Sequence, residues 1–207
     1  MHARSINVLG DPEAIDDGIT YVRDTVMPTI EKAEGCIGLS MLVDRESGRC
    51  IVATSWADRD ALKGSADQFA RFRDHLLTSV GGHDADGQQW DIAVLHRERP
   101  AGEGAAGQVT WARIQPRHVD DLVDAYKMNL LPKLGGLPGF CSVSLMVDHK
   151  TGRTVSVTSF ESREALRLVR KEARLMREQF ALALGAKIVD IAEMELAIAH
   201  LRVPETA

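Results

Sequence analysis

The chain has 207 residues, of which 44% are hydrophobic and 27% are charged, and this balance is typical of a soluble globular protein of one or two domains. A formal net charge of −5 is too mild to indicate a nucleic-acid partner, and no apolar run approaches the roughly 20 residues that cross a bilayer. Residues 1–17 contain no apolar stretch of signal-peptide length. We therefore expect a cytoplasmic protein without a nucleic-acid or membrane partner.

The first predicted elements are a strand over residues 5–9 and a helix that starts at Asp11 and Pro12. Apolar residues at helical spacing follow that start, which predicts an amphipathic helix. Pro28 is expected to bend or end its last turn, because proline lacks the backbone N–H that a helix interior needs. Gly35 then changes the direction of the chain.

Two apolar strands come next, CIGLSMLV and RCIVATSW, joined by the turn VDRESGR at residues 43–49. Asp44 can bond its own backbone, and Gly48 can supply the positive φ of a bulged hairpin. A long helix with Asp58 as its N-cap follows, and then a last strand over residues 91–96. The predicted order is β-α-β-β-α-β, the ferredoxin-like arrangement.

The turn returns as VDHKTGR 104 positions later. Shifted by 104, residues 12–62 and 116–166 align without a gap, and 15 of the 51 positions are identical. The counterparts of Pro28 and Asp58 are Pro132 and Ser162, for which we make the same predictions. A period of this length is a whole domain. The chain is therefore predicted to hold one ferredoxin-like domain over residues 1–100, a small-residue linker over residues 101–107 and a second copy over residues 108–203.

The strands IVATSW and VSVTSF are apolar on both faces. Two helices cover one face of a ferredoxin-like sheet, so an apolar second face needs a partner. The fold class predicted here is α+β, with tandem ferredoxin-like domains packed sheet to sheet as an intramolecular, pseudo-dimeric α+β barrel.

The cysteines are three in number, which is too few and too uneven for a disulfide framework. Cys36 and Cys50 flank the first turn, but the hairpin would separate them by about seven residues at ~3.3 Å each, too far for a disulfide. The spacing contains no CxxC metal pair, so we expect reduced thiols and no metal site.

The run LP-x6-GF at residues 131–140 and the run TSF-ES-REAL at residues 158–166 resemble the antibiotic-biosynthesis-monooxygenase (ABM) family of the dimeric α+β barrel superfamily. The first copy matches more loosely through MP-x6-G and TSW-AD-RDAL. The resemblance covers nearly the whole chain, twice. Because members of that family usually dimerise through the barrel, this chain resembles a fused dimer, and further self-association stays open.

The resemblance implies several activities. Some relatives oxidise polyketide quinols with oxygen and no cofactor, others bind and degrade haem, and others have no known chemistry. We expect a monooxygenase-like protein that acts on a small planar apolar substrate, aromatic or quinone-like, without a cofactor. The alternatives are a non-catalytic binding protein for haem or another hydrophobic ligand, and a degenerate scaffold without chemistry.

The resemblance also places the site between the sheet and the helices of each copy. Asn7 on the first strand is predicted to orient the substrate, and His75 on the second helix to take its proton. Haem-degrading relatives use an Asn and a His at similar places. Phe69 and Phe72 mark the apolar face of the second helix and are predicted to bind substrate. The alternatives are an Asn7 bonded to backbone or water and a His75 that reaches solvent.

The second copy departs from this pattern, because it has Trp111 and Gln179 where the first has Asn7 and His75. An indole directed at the helices would fill the second cleft, so the first cleft is expected to be the larger and Trp111 to line what remains. A register slip of one residue would instead turn Trp111 to the other face. Haem-degrading relatives also carry a Trp where this chain has residues 64–66, which argues against that type of haem degradation.

The second long helix of copy two carries a stripe of five arginines spaced 4, 3, 4 and 3 residues apart. We interpret the stripe first as a solvated face, second as a subunit contact and third as a nucleic-acid surface. The five are Arg163, Arg167, Arg170, Arg174 and Arg177.

Overall fold

A computed structural model describes residues 1–82, 84–102 and 104–201. The chain divides into two compact units. Unit one consists of Met1–Trp90 together with residues 196–201, and unit two consists of Asp91–Glu195.

Unit one begins with a strand, followed by a helical segment interrupted by a π-helical turn, a hairpin and two consecutive helices. The bounds are β1 His2–Leu9, a 3-10 turn Pro12–Ala14, α1 Ile15–Tyr21, the π turn Val22–Val26, α2 Met27–Ile30, β2 Cys36–Asp44, β3 Arg49–Trp56, α3 Arg59–Gly64, α4 Ala66–Ser79 and the start of β4 Ala85–Arg97.

Unit two repeats that order, except that its long helix is continuous. The bounds are β5 Ala106–Arg113, a 3-10 turn Pro116–His118, α5 Val119–Ala125, the π turn Tyr126–Leu130, α6 Leu131–Gly135, β6 Phe140–Asp148, β7 Arg153–Phe160, α7 Arg163–Ala183 and β8 Lys187–Leu201.

The sheets are antiparallel. In unit one β3 lies between β1 and β2, and in unit two β7 lies between β5 and β6. The predicted α+β class and the predicted β-α-β-β-α-β order are therefore confirmed. That the two sheets face each other as a barrel stays a prediction.

The strands β4 and β8 each contribute to both units. Residues 91–97 of β4 pair with β6 of unit two, and residues 187–195 of β8 pair with β5. Ile198, near the end of β8, belongs to the core of unit one. The compact units therefore differ from the predicted domains of residues 1–100 and 108–203, because strand pairing and core packing divide both long strands internally. Residues 106 and 107, assigned to the linker, already lie in β5.

The predicted N-caps are confirmed. Oδ1 of Asp58 accepts hydrogen bonds from the backbone N–H groups of Asp60 and Ala61, and Oγ of Ser162 accepts one from Ala165. Pro28 and Pro132 do not end their helices, since α2 and α6 continue past them after a π-helical turn. In the described ranges no helix has both the length and the hydropathy to span a bilayer.

The exposed face of α7 presents three leucines at seven-residue spacing, Leu168, Leu175 and Leu182. Seven residues are close to two helical turns, so the three side chains lie along one side of the helix. Self-association stays a prediction, and an exposed apolar row of this kind is a surface that could take part in it.

The two hairpin turns carry the constraint that their sequence predicted. Gly48 has φ of 76° and Gly152 has φ of 69°, in the region that favours glycine. The N–H of Gly152 donates to the carbonyl of Asp148 at 2.8 Å, and its own carbonyl accepts from the N–H of Ile114 at 2.9 Å. The turn therefore connects the β6–β7 hairpin to the end of β5.

We predict that Gly152→Ala lowers the free energy of unfolding by about 1–3 kcal/mol, because alanine resists positive φ. In addition, its Cβ would lie 1.9 Å from the carbonyl oxygen of Ile114, so the backbone must shift. Urea denaturation followed by circular dichroism measures the change. The control is Gly87→Ala, whose added Cβ meets no atom within 4 Å and should change stability by less than about 0.5 kcal/mol. Equal losses in both variants would contradict the prediction.

Candidate functional site

A cavity of about 70 Å³ lies in unit two between the helix-facing side of the sheet and the helices. A single buried water needs roughly 10–15 Å³, so the space holds several waters. It is partly open to solvent, so a larger ligand can extend beyond it. Apolar walls come from Leu122, Leu130, Leu134 and Phe180 on the helices and from Phe160 on β7. We call this space the unit-two cavity.

The floor of the unit-two cavity is a row of hydroxyl groups on two paired strands. Successive strand residues point to opposite faces, so alternate residues share the face toward the helices. Thr110 pairs with Ser156, and the neighbouring Thr154 and Thr158 lie on the same face of β7. The row makes one side of an otherwise apolar cavity able to form hydrogen bonds.

Tyr126 brings a phenol to this row from the π turn. Its hydroxyl lies 2.8 Å from Oγ of Ser156, and its ring meets Phe180 edge-on with centroids 5.7 Å apart. Burial raises the pKa of Tyr126 to about 12, although hydrogen bonds with Ser156 and Thr158 act in the other direction. At neutral pH the group is therefore a neutral phenol that can donate or accept a hydrogen bond.

Arg177 brings a positive charge to the cavity from α7. Its Nη1 donates to Oε1 of Gln108, whereas its Nε is buried and has no hydrogen-bond partner in the described part of the chain. Burial lowers the pKa of Arg177; Glu178 raises it, Arg174 lowers it and Glu193 raises it. Guanidinium groups nonetheless stay protonated in proteins, so the cavity has a permanent cation in its wall.

The equivalent space in unit one is filled. Where unit two has Ala173, unit one has Phe69, and where unit two has Thr110 and Ser156, unit one has the fully buried Ile6 and Val52. These three residues belong to one apolar core cluster. At these three positions, therefore, unit one has packed apolar side chains where unit two has the lining of a polar-walled void.

Unit one also buries an arginine, but it satisfies the charge internally. Arg4, at the position equivalent to Gln108, donates to the carbonyl of Leu62 at 2.8 Å and to Oγ of Ser65 at 3.2 Å. Its guanidinium carbon lies 4.7 Å from the centroid of the Phe69 ring. Burial lowers the pKa of Arg4.

The structure does not bring the two predicted catalytic residues together. Asn7 lies on β1 between Ile6 and Val8, which both pack in the helix-facing core, so its side chain is directed to the opposite face. Its Oδ1 is buried and has no hydrogen-bond partner in the part of the chain that is described. His75 is exposed on α4 beside Tyr21, with ring centroids 5.9 Å apart. Their catalytic roles stay predictions.

The predicted substrate-binding phenylalanines are packed against the core of unit one. Phe69 and Phe72 are 6% and 4% exposed, and their rings meet at 70° with centroids 5.5 Å apart. Tyr21 stacks on Phe72 from the other side, at 6.2 Å. Together these rings occupy the space that a ligand would need in unit one.

The expectation that Trp111 fills the second cleft is wrong. Thr110 and Ala112, its neighbours on β5, line the unit-two cavity, and Trp111 does not. The pleat of the strand directs the indole to the face away from the helices. Consequently the second copy has a cavity at the sheet–helix interface that the indole does not fill.

The residues present fit haem poorly at the predicted place. His75 faces solvent, and Phe69 and Phe72 fill the interior beside it. The described residues that line the unit-two cavity include no histidine or cysteine that could ligate iron. No group of three His, Cys, Asp or Glu side chains with metal-binding geometry occurs among the residues that the structure describes.

Unit one has a wider surface depression of about 700 Å³ near the start of α3. Its carboxylates, Glu34, Asp58 and Asp60, are exposed, and Asp58 is committed to capping α3. Solvated carboxylates of this kind need no ligand. We therefore place the candidate site in the unit-two cavity, where buried polar groups surround a void.

The arginine stripe on α7 is not uniform. Three members form surface ion pairs, Arg167 with Glu164, Arg170 with Glu193 and Arg174 with Glu178. Arg177 differs, because it turns into the cavity instead. The solvated-face interpretation thus fits the three paired arginines and not Arg177.

Sequence reasoning missed Tyr126, Ser156, Gln108 and Arg177 as site residues. A signal was available in the aligned copies: the strand TVSVT has hydroxyls at every second position where its counterpart CIVAT has Cys, Val and Thr. Hydroxyls replacing apolar residues on a core-facing strand indicate a wet or ligand-bearing interior.

No family model matches the chain. Two Mycobacterium tuberculosis (strain ATCC 25618 / H37Rv) proteins are similar over nearly its full length. "Uncharacterized protein Rv2558" is 43% identical over 206 residues, which is 99% of this chain and 87% of that protein. "Uncharacterized protein Rv2557" is 41% identical over 205 residues, which is 99% of this chain and 91% of that protein.

Solved structures share the fold at low identity. A "putative monooxygenase" from Lactobacillus acidophilus aligns with a TM-score of 0.69 at 11% identity, over 97% of this chain and 96% of that one. An "anthrone oxidase-like protein" gives 0.66 at 15% identity, over 100% and 95%. A "heme-degrading enzyme" from Listeria monocytogenes gives 0.52 at 8% identity, over 93% and 98%. These likenesses show the fold.

We predict that Tyr126→Phe removes an alkaline loss of stability. The unfolded phenol ionises near the ordinary pKa of 10.0 and the folded one near 12, so ionisation favours unfolding as pH rises through that window. At pH 11 the wild type should have lost about 1 kcal/mol more than the variant, each relative to its value at pH 8. Urea titrations at the two pH values measure this. Identical losses in both proteins would contradict the assignment.

Proposed function

Because the chain belongs to the family of the Mycobacterium tuberculosis proteins Rv2558 and Rv2557, which carry no named activity, we propose its function from its fold and its cavity. The proposal is a monooxygenase-like protein that acts on a small planar apolar molecule, aromatic or quinone-like, without a cofactor. The reaction site is the unit-two cavity. The observation that carries the proposal is a void with one hydrogen-bonding side in the interior of unit two.

The fold supports the proposal by analogy. The Lactobacillus acidophilus protein is described as a "putative monooxygenase" and another neighbour as "anthrone oxidase-like", and both align over nearly the whole of this chain. Such likeness makes oxygen chemistry a reasonable candidate activity, but function depends on the site rather than on the fold.

Oxygenation without a cofactor requires the substrate itself to reduce oxygen. A hydroquinone supplies the electrons; one oxygen atom enters the ring to give a hydroxyquinone, and the other leaves as water. An apolar surrounding favours this, because it limits the contact of water with the oxygen-reactive anion. Leucine and phenylalanine side chains supply that surrounding on the helix side, and the Tyr126 hydroxyl and the strand hydroxyls can hold the substrate oxygens.

The described residues that line the cavity include no carboxylate and no imidazole, so no ordinary general base is at hand. A substrate would have to enter already ionised or ionise readily beside Arg177. This observation favours the second candidate function, a binding protein for a small hydrophobic ligand without turnover.

We propose that the two units are tandem copies of one domain and that the pair takes the place of a dimer. Unit one has three glycines with positive φ whose counterparts in unit two, 104 residues later, also have positive φ; the three are Gly35, Gly48 and Gly81. In this proposal unit one, with its solid core, has a structural role. Asn7 and His75 would then act only if they contribute to a different site from the unit-two cavity.

We predict that Ala173→Phe abolishes ligand binding. The phenyl ring would occupy the unit-two cavity, as Phe69 occupies the equivalent space in unit one. Phenol binding is measured by ligand-observed NMR and calorimetry. Turnover is measured as incorporation of one labelled oxygen when hydroquinone is incubated with ¹⁸O₂. The wild type should bind phenol, and the variant should bind it at least tenfold more weakly.

The matched control is Ala183→Phe, the same substitution at an exposed position of the same helix. It should leave binding and turnover unchanged. Phenol binding that survives in Ala173→Phe would show that the cavity is not the site. Binding without label incorporation above the enzyme-free rate would favour the binding protein over the monooxygenase.

A further inference from the structure

Resting on the proposed function, we propose that the ligand of the unit-two cavity is a small aromatic carboxylate, whose carboxylate binds the guanidinium of Arg177. The ring would lie among the leucine and phenylalanine walls. The fold itself does not require a charged ligand. The charge is inferred from the residues that line the cavity.

The first observation is the incomplete hydrogen bonding of Arg177. Its Nη1 is used by Gln108, but its buried Nε meets no acceptor among the described residues. A charged donor buried without an acceptor is costly, and folded proteins rarely leave one. An acceptor supplied by a ligand would remove that cost.

The shape of the free edge selects a carboxylate. In a guanidinium the Nε–H lies parallel to one N–H of Nη2, and the two form a fork that matches the two oxygens of a carboxylate. Gln108 engages Nη1, and the Nε–H of this edge is buried without an acceptor among the described residues. A phenolate has one oxygen and would use half of the fork.

The second observation is that no carboxylate among the described residues forms an ion pair with Arg177. Glu178 and Glu193 are near enough to influence its pKa, but Glu178 pairs with Arg174 at 2.7 Å and Glu193 with Arg170 at 2.5 Å. Arg4 of unit one shows the contrasting solution, in which a carbonyl, a hydroxyl and a ring complete the surroundings of the guanidinium.

The rest of the cavity specifies the body of the ligand. Leucines and phenylalanines surround the space and favour an apolar planar group. The Tyr126 hydroxyl and the strand hydroxyls lie on the sheet side and can accept a polar ring substituent. A benzoate skeleton meets both requirements.

The test compares benzoate with benzamide, a neutral planar molecule of the same size. Calorimetry on the full chain should show benzoate binding at least tenfold more tightly than benzamide. Arg177→Gln should weaken benzoate binding at least tenfold and remove the preference. Arg174→Gln, which alters an exposed arginine one turn away, should change neither affinity. Arg177→Lys keeps the positive charge without the guanidinium fork, so its affinity for benzoate should be intermediate. This variant replaces Arg177→Gln in the test if the Gln variant does not fold.

Several outcomes would overturn the inference. One is equal affinity for benzoate and benzamide, with both lost in Ala173→Phe; this leaves the cavity as the site and makes the ligand neutral. A second is phenol binding without benzoate binding, which likewise makes the ligand of the cavity neutral. A third is an Arg177→Gln variant that is folded and binds benzoate as the wild type does. If neither phenol nor benzoate binds, the proposed function fails as well.

Discussion

The positive-φ glycine that closes each hairpin is the constraint on which the remainder of each unit depends. Gly152 sets the register of β6 against β7 and, through the hydrogen bond to Ile114, fixes the end of β5. Because side chains alternate along a strand, a slip of one residue would exchange the two faces of the sheet. Thr110 and Ser156 face the helices, and Trp111 does not, because this register holds.

Within that fixed frame, the character of each interior depends on a few side chains. Phe69 and Ala173 occupy the same place on equivalent helices, and the difference between a ring and a methyl group decides whether the space is filled. Burying the phenyl ring stabilises unit one, since deletion of such a ring commonly costs 3–5 kcal/mol. Unit two lacks that contribution and has instead a space lined by hydroxyls and a guanidinium.

The sequence was sufficient for the elements, their order, the turns and the caps, because each has a local chemical signature. Asp58 and Ser162 cap their helices as predicted, and both turns form. The site was harder to locate. The direction of Trp111 depends on strand register, and the void depends on how Tyr126, Ala173 and Arg177 pack across long sequence distances. Neither property is visible in periodicity, although the alternating hydroxyls of β7 were a hint that comparison of the copies could have used.

The sharing of β8 between the units has a consequence for synthesis on the ribosome. Ile198 packs in the core of unit one with Ile6 and Val8, yet the whole of unit two is made between them and Ile198. The described core cluster of unit two, in contrast, lies between Ala93 and Ala186. The N-terminal unit must therefore wait, with part of its core exposed, while more than a hundred residues are added at about 5–20 per second. The order in which the units are completed is thus the reverse of the order in which they begin.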